Sequence, residues 1–382
     1  MSFLQAIQNI SPLGVLFSVA AFIVALLIIV FVHEYGHYIV ARWCGVKSDV
    51  FSVGFGKEVW GYTDKRGTRW KLAPWPIGGY VKFAGDANAA SQPDLSEESK
   101  HTAGSLHAQP VLQRAAIVAA GPIANFILAI FIFALGYMVV GQEYTRPIVD
   151  NIRPNSAAEV AGFKKGDEIT SIDGEAITSF QSIIMKVAFR PDETLSVGIK
   201  REGAPMTLMV KAGAREIDDG FGSKFVIGQM GVEHLKRPDE PLMQRLLPHQ
   251  ALAKGVEQTW FIISTTGKTL KKLFLGTESV KRIGGAISIG KGAGDAASDG
   301  PMAFVSFIAF LSISIGIVNL LPIPMLDGGH LVFYAIEALC GKPLGPMAQE
   351  WGYRIGFSCV VMLMLLGLFN DTGRVANVLF GT

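Results

Sequence analysis

The chain has 382 residues, half of them hydrophobic and only 17% charged, with a formal net charge of +2. That length accommodates two or more domains, and so little charge is unusual for a soluble globular protein. A balance this near neutrality excludes nucleic acid as an expected partner. Cys44, Cys340 and Cys359 are odd in number and far apart, so they read as packing residues and not as a disulfide framework or a cysteine metal site.

No charged side chain occurs from Met1 to Val32, and the apolar run from about Leu13 leads straight into His33-Glu34-Tyr35-Gly36-His37. An uncharged run of this length predicts a membrane-spanning helix. It lacks a basic leading segment and ends in chemistry-bearing residues, so it is not expected to be a removable signal peptide. The HExxH pattern is that of metallohydrolases. On a helix, residues four apart lie about 40° from alignment, so His33 and His37 can bind one ion. Glu34, beside the first ligand, can reach a water on that ion without ligating it. Zinc brings the pKa of such a water towards 7, and a carboxylate can then take its proton. Gly36 leaves room beside the site. The plain alternative is a chance HExxH on an amphipathic helix. Ionisable residues are costly in an apolar span, and that favours the zinc reading.

Residues 70–83, with Trp75-Pro76 and Gly78-Gly79, read as two extended pieces around a turn. An extended edge can hold an unwound substrate by strand addition, which makes Gly78, Gly79 and Tyr80 candidate substrate-binding residues. A plain hairpin is the alternative. A second span is expected between Arg114 and Glu143, where nothing is charged, and a third between Asp299 and Asp327. A fourth, 355–369, falls short of the roughly 20 residues a span prefers. It is expected to begin a turn or more earlier, with Arg354 snorkelling and Trp351 and Tyr353 at the interface.

Between spans two and three, apolar-alternating runs at 148–152, 168–172, 195–200 and 206–210 predict a small β-rich domain. Turn signals such as Asp173-Gly174 and Glu202-Gly203 separate them, and 180–189 reads as a helix. Residues 251–275 read as an amphipathic helix. It lies either along the membrane surface with Lys271 and Lys272 outward, or on the soluble domain. The glycine-rich stretch 284–300 reads as loop.

Catalytic zinc usually has three protein ligands. The remaining histidines are His101, His107, His234, His249 and His330, and of these only His330 is near an apolar span. Asp327 is better placed, at the end of the third span in Asn319-Leu-Leu-Pro-Ile-Pro-Met-Leu-Asp-Gly-Gly. Pro322 and Pro324 forbid a regular helix there, and broken helices in membranes line sites or are buried in protein. Gly328 and Gly329 permit close backbone approach. A cap or turn role for Asp327 is the alternative. Counting spans places the ends of spans one and three on one side of the membrane, opposite the β-rich region. Arg42, Lys47, Arg114, Lys342 and Arg354 flank the spans on the HExxH side, which the positive-inside rule makes cytoplasmic.

HEYGH, Asn319…Leu326-Asp327-Gly328 and the inserted β-rich region together resemble the site-2 protease family, in its bacterial RseP-type group. Pro76-Ile-Gly-Gly-Tyr-Val-Lys-Phe, Gly121-Pro-Ile-Ala-Asn-Phe and Ile287-Ser-Ile-Gly-Lys-Gly-Ala-Gly match further. Residues 156–169 resemble a PDZ domain of the bacterial protease type. The resemblance implies zinc on His33, His37 and Asp327, with Glu34 as base. It implies that Asn319 holds substrate or an oxyanion, whereas by physics alone an interhelical hydrogen bond serves equally. It also implies that 70–83 is a membrane-reentrant β-loop, and that the substrates are single-span membrane proteins such as trimmed anti-sigma factors. The best-known pattern carries tandem PDZ domains, and one is found here.

The expected fold is a polytopic α-helical membrane protein of four transmembrane helices, with a β-rich PDZ-like domain between spans two and three. The expected divisions are a membrane half at 1–143, the PDZ-like periplasmic domain at 144–225, an amphipathic helix and glycine-rich loop at 226–300, and a second membrane half at 301–382. The expected function is intramembrane zinc proteolysis in the bacterial inner membrane, with a lipid bilayer and single-span proteins as partners. A metal transporter and an inactive PDZ scaffold are the rival readings. The transporter gives no reason for Glu34 between two ligands.

Overall fold

A computed structural model describes residues 12–85, 104–142, 145–218, 224–235, 243–276, 280 and 284–380; His101 lies outside them. The chain divides into two compact units. One comprises Met1–Ala134 and Leu252–Gly373, the other Leu135–Ala251 and Arg374–Thr382.

The first unit begins with α1 (Pro12–Trp43), 32 residues and so about 48 Å long, enough to cross a bilayer core of about 30 Å. A small sheet follows: β1 (Ser48–Phe55), β2 (Trp60–Thr63), β3 (Arg69–Leu72) and β4 (Trp75–Phe83). Its order is β2-β3-β1-β4. Within 70–83 the chain forms the expected two extended pieces around a turn, but they do not pair with each other. β3 and β4 are neighbours in sequence but not in the sheet, because β1 lies between them, parallel to β3 and antiparallel to β4. The short β3–β4 link, with Pro74 in it, both reverses the chain and carries it past the end of β1. Phe51, Val81 and Phe83 pack with Tyr38, Ala41 and Ile117 in one buried cluster. Asp64 ties the sheet to α1, accepting from Trp70 Nε1 at 3.1 Å and from the Tyr38 hydroxyl at 3.4 Å.

The second span is α2 (Val111–Val139), with Pro122 inside it. The second unit then builds β5 (Asn151–Ile152), α3 (Ala157–Val160), β6 (Glu168–Ile172), β7 (Glu175–Ala176), α4 (Phe180–Ala188), β8 (Thr194–Arg201) and β9 (Ala204–Lys211). These follow the alternating runs closely. Three further strands have weaker patterns: β10 (Gly213–Asp218), β11 (Lys224–Gln229) and β12 (Val232–Glu233). The sheets are β7-β6-β8-β9, β10-β11 and β12-β5. Ile169, Ile172, Ile183, Leu195, Val197 and Ile199 fill one core.

Back in the first unit, α5 (Pro248–Phe274) is the amphipathic helix expected at 251–275. Its residues Ile262 and Ile263 pack with Ala129, Ala309 and Ile313, so it lies against the apolar helices. Residues 284–300, expected as loop, contain α6 (Ala286–Ser298). Its glycines serve packing: a Cβ on Gly294 would run into Ser18 of α1. Asp371 caps its start, accepting from Gly285 N at 3.0 Å, Ile287 N at 2.9 Å and Ser288 N at 3.1 Å. A capped helix start leaves no unpaired N–H among apolar helices, which is the condition for helix here. Then come α7 (Pro301–Asn319), a broken stretch, α8 (Asp327–Cys340) and α9 (Pro346–Phe380). The fourth span thus starts at Pro346, earlier than the 355–369 core suggested. Four helices, α1, α2, α7 and Pro346–Ala376 of α9, are long and apolar enough to cross a membrane. The chain is a polytopic helical membrane protein with a β-rich region.

In the β-rich unit, Asp167 is buried and receives Arg201 Nε and Nη2, each at 2.8 Å. Burial alone would raise its carboxyl, but Arg201 and the Lys164 N–H outweigh that and hold it below the usual carboxylate range. A depressed carboxylate stabilises the fold above its unfolded pKa and ceases to do so as pH falls through the folded value. Asp167→Asn is expected to cost about 1–3 kcal/mol at pH 7, and the cost is expected to shrink steadily as pH falls below the ordinary carboxylate range, measured by unfolding across an acid pH series.

Candidate metal centre

Two histidines one helical turn apart on α1 and the first residue of α8 meet inside the first unit. His33 Nε2 lies 3.2 Å from His37 Nε2 and 3.1 Å from Asp327 Oδ2; His37 Nε2 lies 3.5 Å from Asp327 Oδ1. Four ligands at about 2.05 Å around a tetrahedral ion stand about 3.3 Å apart, so the two imidazole nitrogens and the Asp327 carboxylate, with a different oxygen towards each histidine, lie close to the spacing of a ligand set. Both histidines are buried. Asp327 Oδ2 is buried too, with no hydrogen-bond partner among the described residues; its approach to His33 lacks hydrogen-bond geometry. Two imidazole lone pairs and a carboxylate so close repel unless a cation or proton lies between them. The donor set therefore fits a bound zinc ion.

The ring nitrogens facing away decide which nitrogens are free to ligate. His37 Nδ1–H donates to the Ile117 carbonyl at 2.9 Å, leaving its Nε2 lone pair towards the centre. The side-chain amide of Asn125 lies 3.2 Å from His33 Nδ1 through Nδ2, while its Oδ1 is buried and unpartnered. With the amide rotated by 180°, Oδ1 accepts from His33 Nδ1–H and the His33 Nε2 lone pair is left facing the cluster. Ser312 of α7 donates to the Asn125 carbonyl at 2.9 Å and braces this turn of α2. Gly121 is where α2 passes the two imidazoles, since a Cβ there would overlap His37 Nε2 and crowd His33 Cε1. Asn125 and Gly121 carry no assigned role in the sequence reading. Their signal is a lone asparagine and a Gly-Pro pair inside an uncharged span.

Asp327 is delivered by the break after α7. Met325 has φ 90°, an uncommon conformation for a side-chain-bearing residue. Gly328 and Gly329 lie so close to the carbonyls of Leu320, Leu321 and Ile323 that no Cβ fits, and Gly356 of α9 abuts the Pro324 carbonyl equally closely. Asn319 ends α7, half-buried, and its side chain has no hydrogen bond among the described residues. Glu34 sits beside β4: Val81 N–H donates to its carboxylate, and a Cβ on Gly79 would lie 3.1 Å from Glu34 Cγ. Gly78 and Tyr80 face the other way, towards Phe55, whose ring stacks on Tyr80 at 6.0 Å. Of the three candidates on this strand, Gly79 alone is next to the metal cluster's helix. His234 and His330 lie elsewhere, His234 against Asp150 at 3.0 Å and His330 against the Tyr353 ring at 5.8 Å.

The model of peptidase family M50 matches residues 21–363. A protein of Agrobacterium fabrum, proposed by its name to be a zinc metalloprotease, is 43% identical over 92% of this chain and 95% of its own length. The regulator of sigma-E protease RseP of Escherichia coli is 32% identical, covering 95% of this chain and all of its own length. Metalloprotease MmpA of Caulobacter vibrioides is 36% identical, covering 95% and 97%. The chain belongs to peptidase family M50: it is an intramembrane metalloprotease of the site-2 type.

Asn125→Leu is expected to weaken zinc affinity about 10- to 100-fold, the usual cost of losing a hydrogen bond behind a ligating imidazole. Competition against a chromogenic chelator measures it.

Proposed function

We propose that this protein is a zinc endopeptidase that cuts single-span membrane proteins in or near their transmembrane segments, with His33, His37 and Asp327 holding the ion. The meeting of those three donors at ligand spacing carries the proposal. The bound ion supplies Lewis acidity, polarising a carbonyl and acidifying water. Glu34 takes the proton of the attacking water and returns it to the departing amine nitrogen. Val81 N–H donates to the Glu34 carboxylate and holds it beside strand β4.

A substrate helix hides its peptide bonds in its own hydrogen bonds, so it must unwind. Among the described residues strand β4 pairs with β1 alone, and Gly79 brings its other edge against Glu34. An unwound stretch adding to this edge is extended and close to the base. Gly78, Gly79 and Tyr80 belong to this strand, and Asn319 offers a free amide for the peptide or its oxyanion. The β-rich region serves as a PDZ-like periplasmic domain. A cavity of about 490 Å³ between α4 and the β11–β12 segment, floored by Ile183, Val187 and Met230 with Arg215 on its wall, suits a peptide carboxyl terminus. The basic flanks Arg42, Lys47, Arg114, Lys342 and Arg354 support a cytoplasmic position for the active-site side in a bacterial inner membrane. A trimmed anti-sigma factor is a substrate of the expected kind.

Glu34→Gln in purified protein is expected to retain zinc and to lower cleavage of a single-span substrate at least 100-fold. Loss of zinc from this variant would remove Glu34 from the base role, and metal transport unaffected by it would favour a transporter. Proline at Val81 is expected to slow cleavage with zinc still bound; an unchanged rate ends the edge-binding idea. Deleting 145–213 separates two uses of the β-rich region: faster cutting of untrimmed substrates marks a barrier, and lost cutting of trimmed ones marks a docking site.

A further inference from the structure

Arg114 stands near the start of α2, away from the metal donors, yet its guanidinium is almost wholly enclosed. Nη2 donates to Glu337 Oε1 at 2.6 Å and Nη1 to Oε2 at 3.0 Å. Nε donates to the Gln109 carbonyl at 3.0 Å, and the guanidinium carbon lies 4.9 Å from the centre of the Tyr334 ring. Side-chain exposure is 11% for Arg114 and 14% for Glu337. A two-pronged ion pair this shielded fixes orientation as well as distance. Both of its α8 partners belong to the helix that Asp327 begins.

We infer that the Arg114–Glu337 clamp is a positioning device for the third metal ligand, setting the rotation of α8 and hence the place of the Asp327 carboxylate. This rests on His33, His37 and Asp327 being the ligand set. Tyr334 lies seven residues, close to two full turns, beyond Asp327 and so on the same face; Glu337 lies about 15 Å along the axis. The chain entering α8 is an irregular break, with Met325 at φ 90°, and not a continuous helix that would transmit its own orientation. Rotating α8 by about 20° would swing a carboxylate about 5 Å from its axis by roughly 1.7 Å. Metal sites tolerate only about 0.2 Å. The clamp opposes that rotation at the far end of the helix.

The same face of α2 holds the other two ligands. Arg114, Ile117, Gly121 and Asn125 follow one another at intervals of three or four residues and share a stripe. Arg114 grips α8, the Ile117 carbonyl fixes His37, Gly121 admits both imidazoles and Asn125 meets His33. A span that contributes no ligand thus orients all three.

The test uses the full chain in detergent, stripped of metal, with zinc affinity read by chelator competition and metal-free folding by thermal unfolding. Arg114→Gln and Glu337→Gln are each expected to weaken zinc about tenfold or more, and the double variant no more than the worse single one. Arg114→Lys, which keeps the charge but loses the fork, is expected to fold and to weaken zinc three- to tenfold. Zinc affinity within twofold of the parent in Glu337→Gln or Arg114→Lys overturns the inference, as do fully additive losses in the double variant. His33→Ala separates the underlying assumption: undiminished zinc affinity there would sink the ligand set itself, whatever the clamp variants do.

Discussion

Polar groups inside an apolar bundle have no water to fall back on, so each must find its partner within the protein. Around the metal centre that requirement is met in layers. Two imidazoles and a carboxylate face one another at 3.1–3.5 Å. Behind them stand a backbone carbonyl and a buried amide. Further out, an enclosed arginine holds the helix that carries the carboxylate. The α6 start obeys the same rule, with Asp371 taking N–H groups that would otherwise be orphaned among apolar helices.

The irregular backbone follows from what the site must do. Asp327 has to leave the line of α7 and turn towards α1, and a continuous helix gives no such freedom. Two prolines end the helix, and two glycines let the returning backbone pass against its own carbonyls. Gly356 brings α9 onto the Pro324 carbonyl, so the break is held from outside as well. Irregularity at this position is therefore closely packed by the chain's own carbonyls and by α9.

The small sheet shows how order in sequence and order in space diverge. With β1 inserted between β3 and β4, the strand nearest α1 becomes an edge, and the edge lies beside Glu34. A hairpin of the same residues would have covered one side of β4 with β3. Among the described residues the crossing thus leaves a row of β4 backbone groups without a strand partner next to Glu34, an edge of the kind that soluble proteins usually protect.

Local pattern carried the parts of this protein whose physics is local. Uncharged runs marked four spans, the four-residue spacing put two histidines on one face, alternation marked β6, β8 and β9, and proline with glycine marked the break before Asp327. It misread 284–300, because a glycine-rich helix differs from a loop only by the neighbours that fill its small-residue face and by an aspartate far along the chain that caps it. It marked two extended pieces within residues 70–83 but not their partners, because sheet order depends on which strand slips between two others. Ile117 and Arg114 gave no local sign of their roles, since a hydrogen bond between distant helices leaves no periodicity. The sequence by itself determined the chemistry available, a HExxH span and an aspartate at a broken helix. Only the tertiary structure decided that these donors meet, because approach to within 3.5 Å depends on how separate helices pack, and no spacing along one chain encodes that distance.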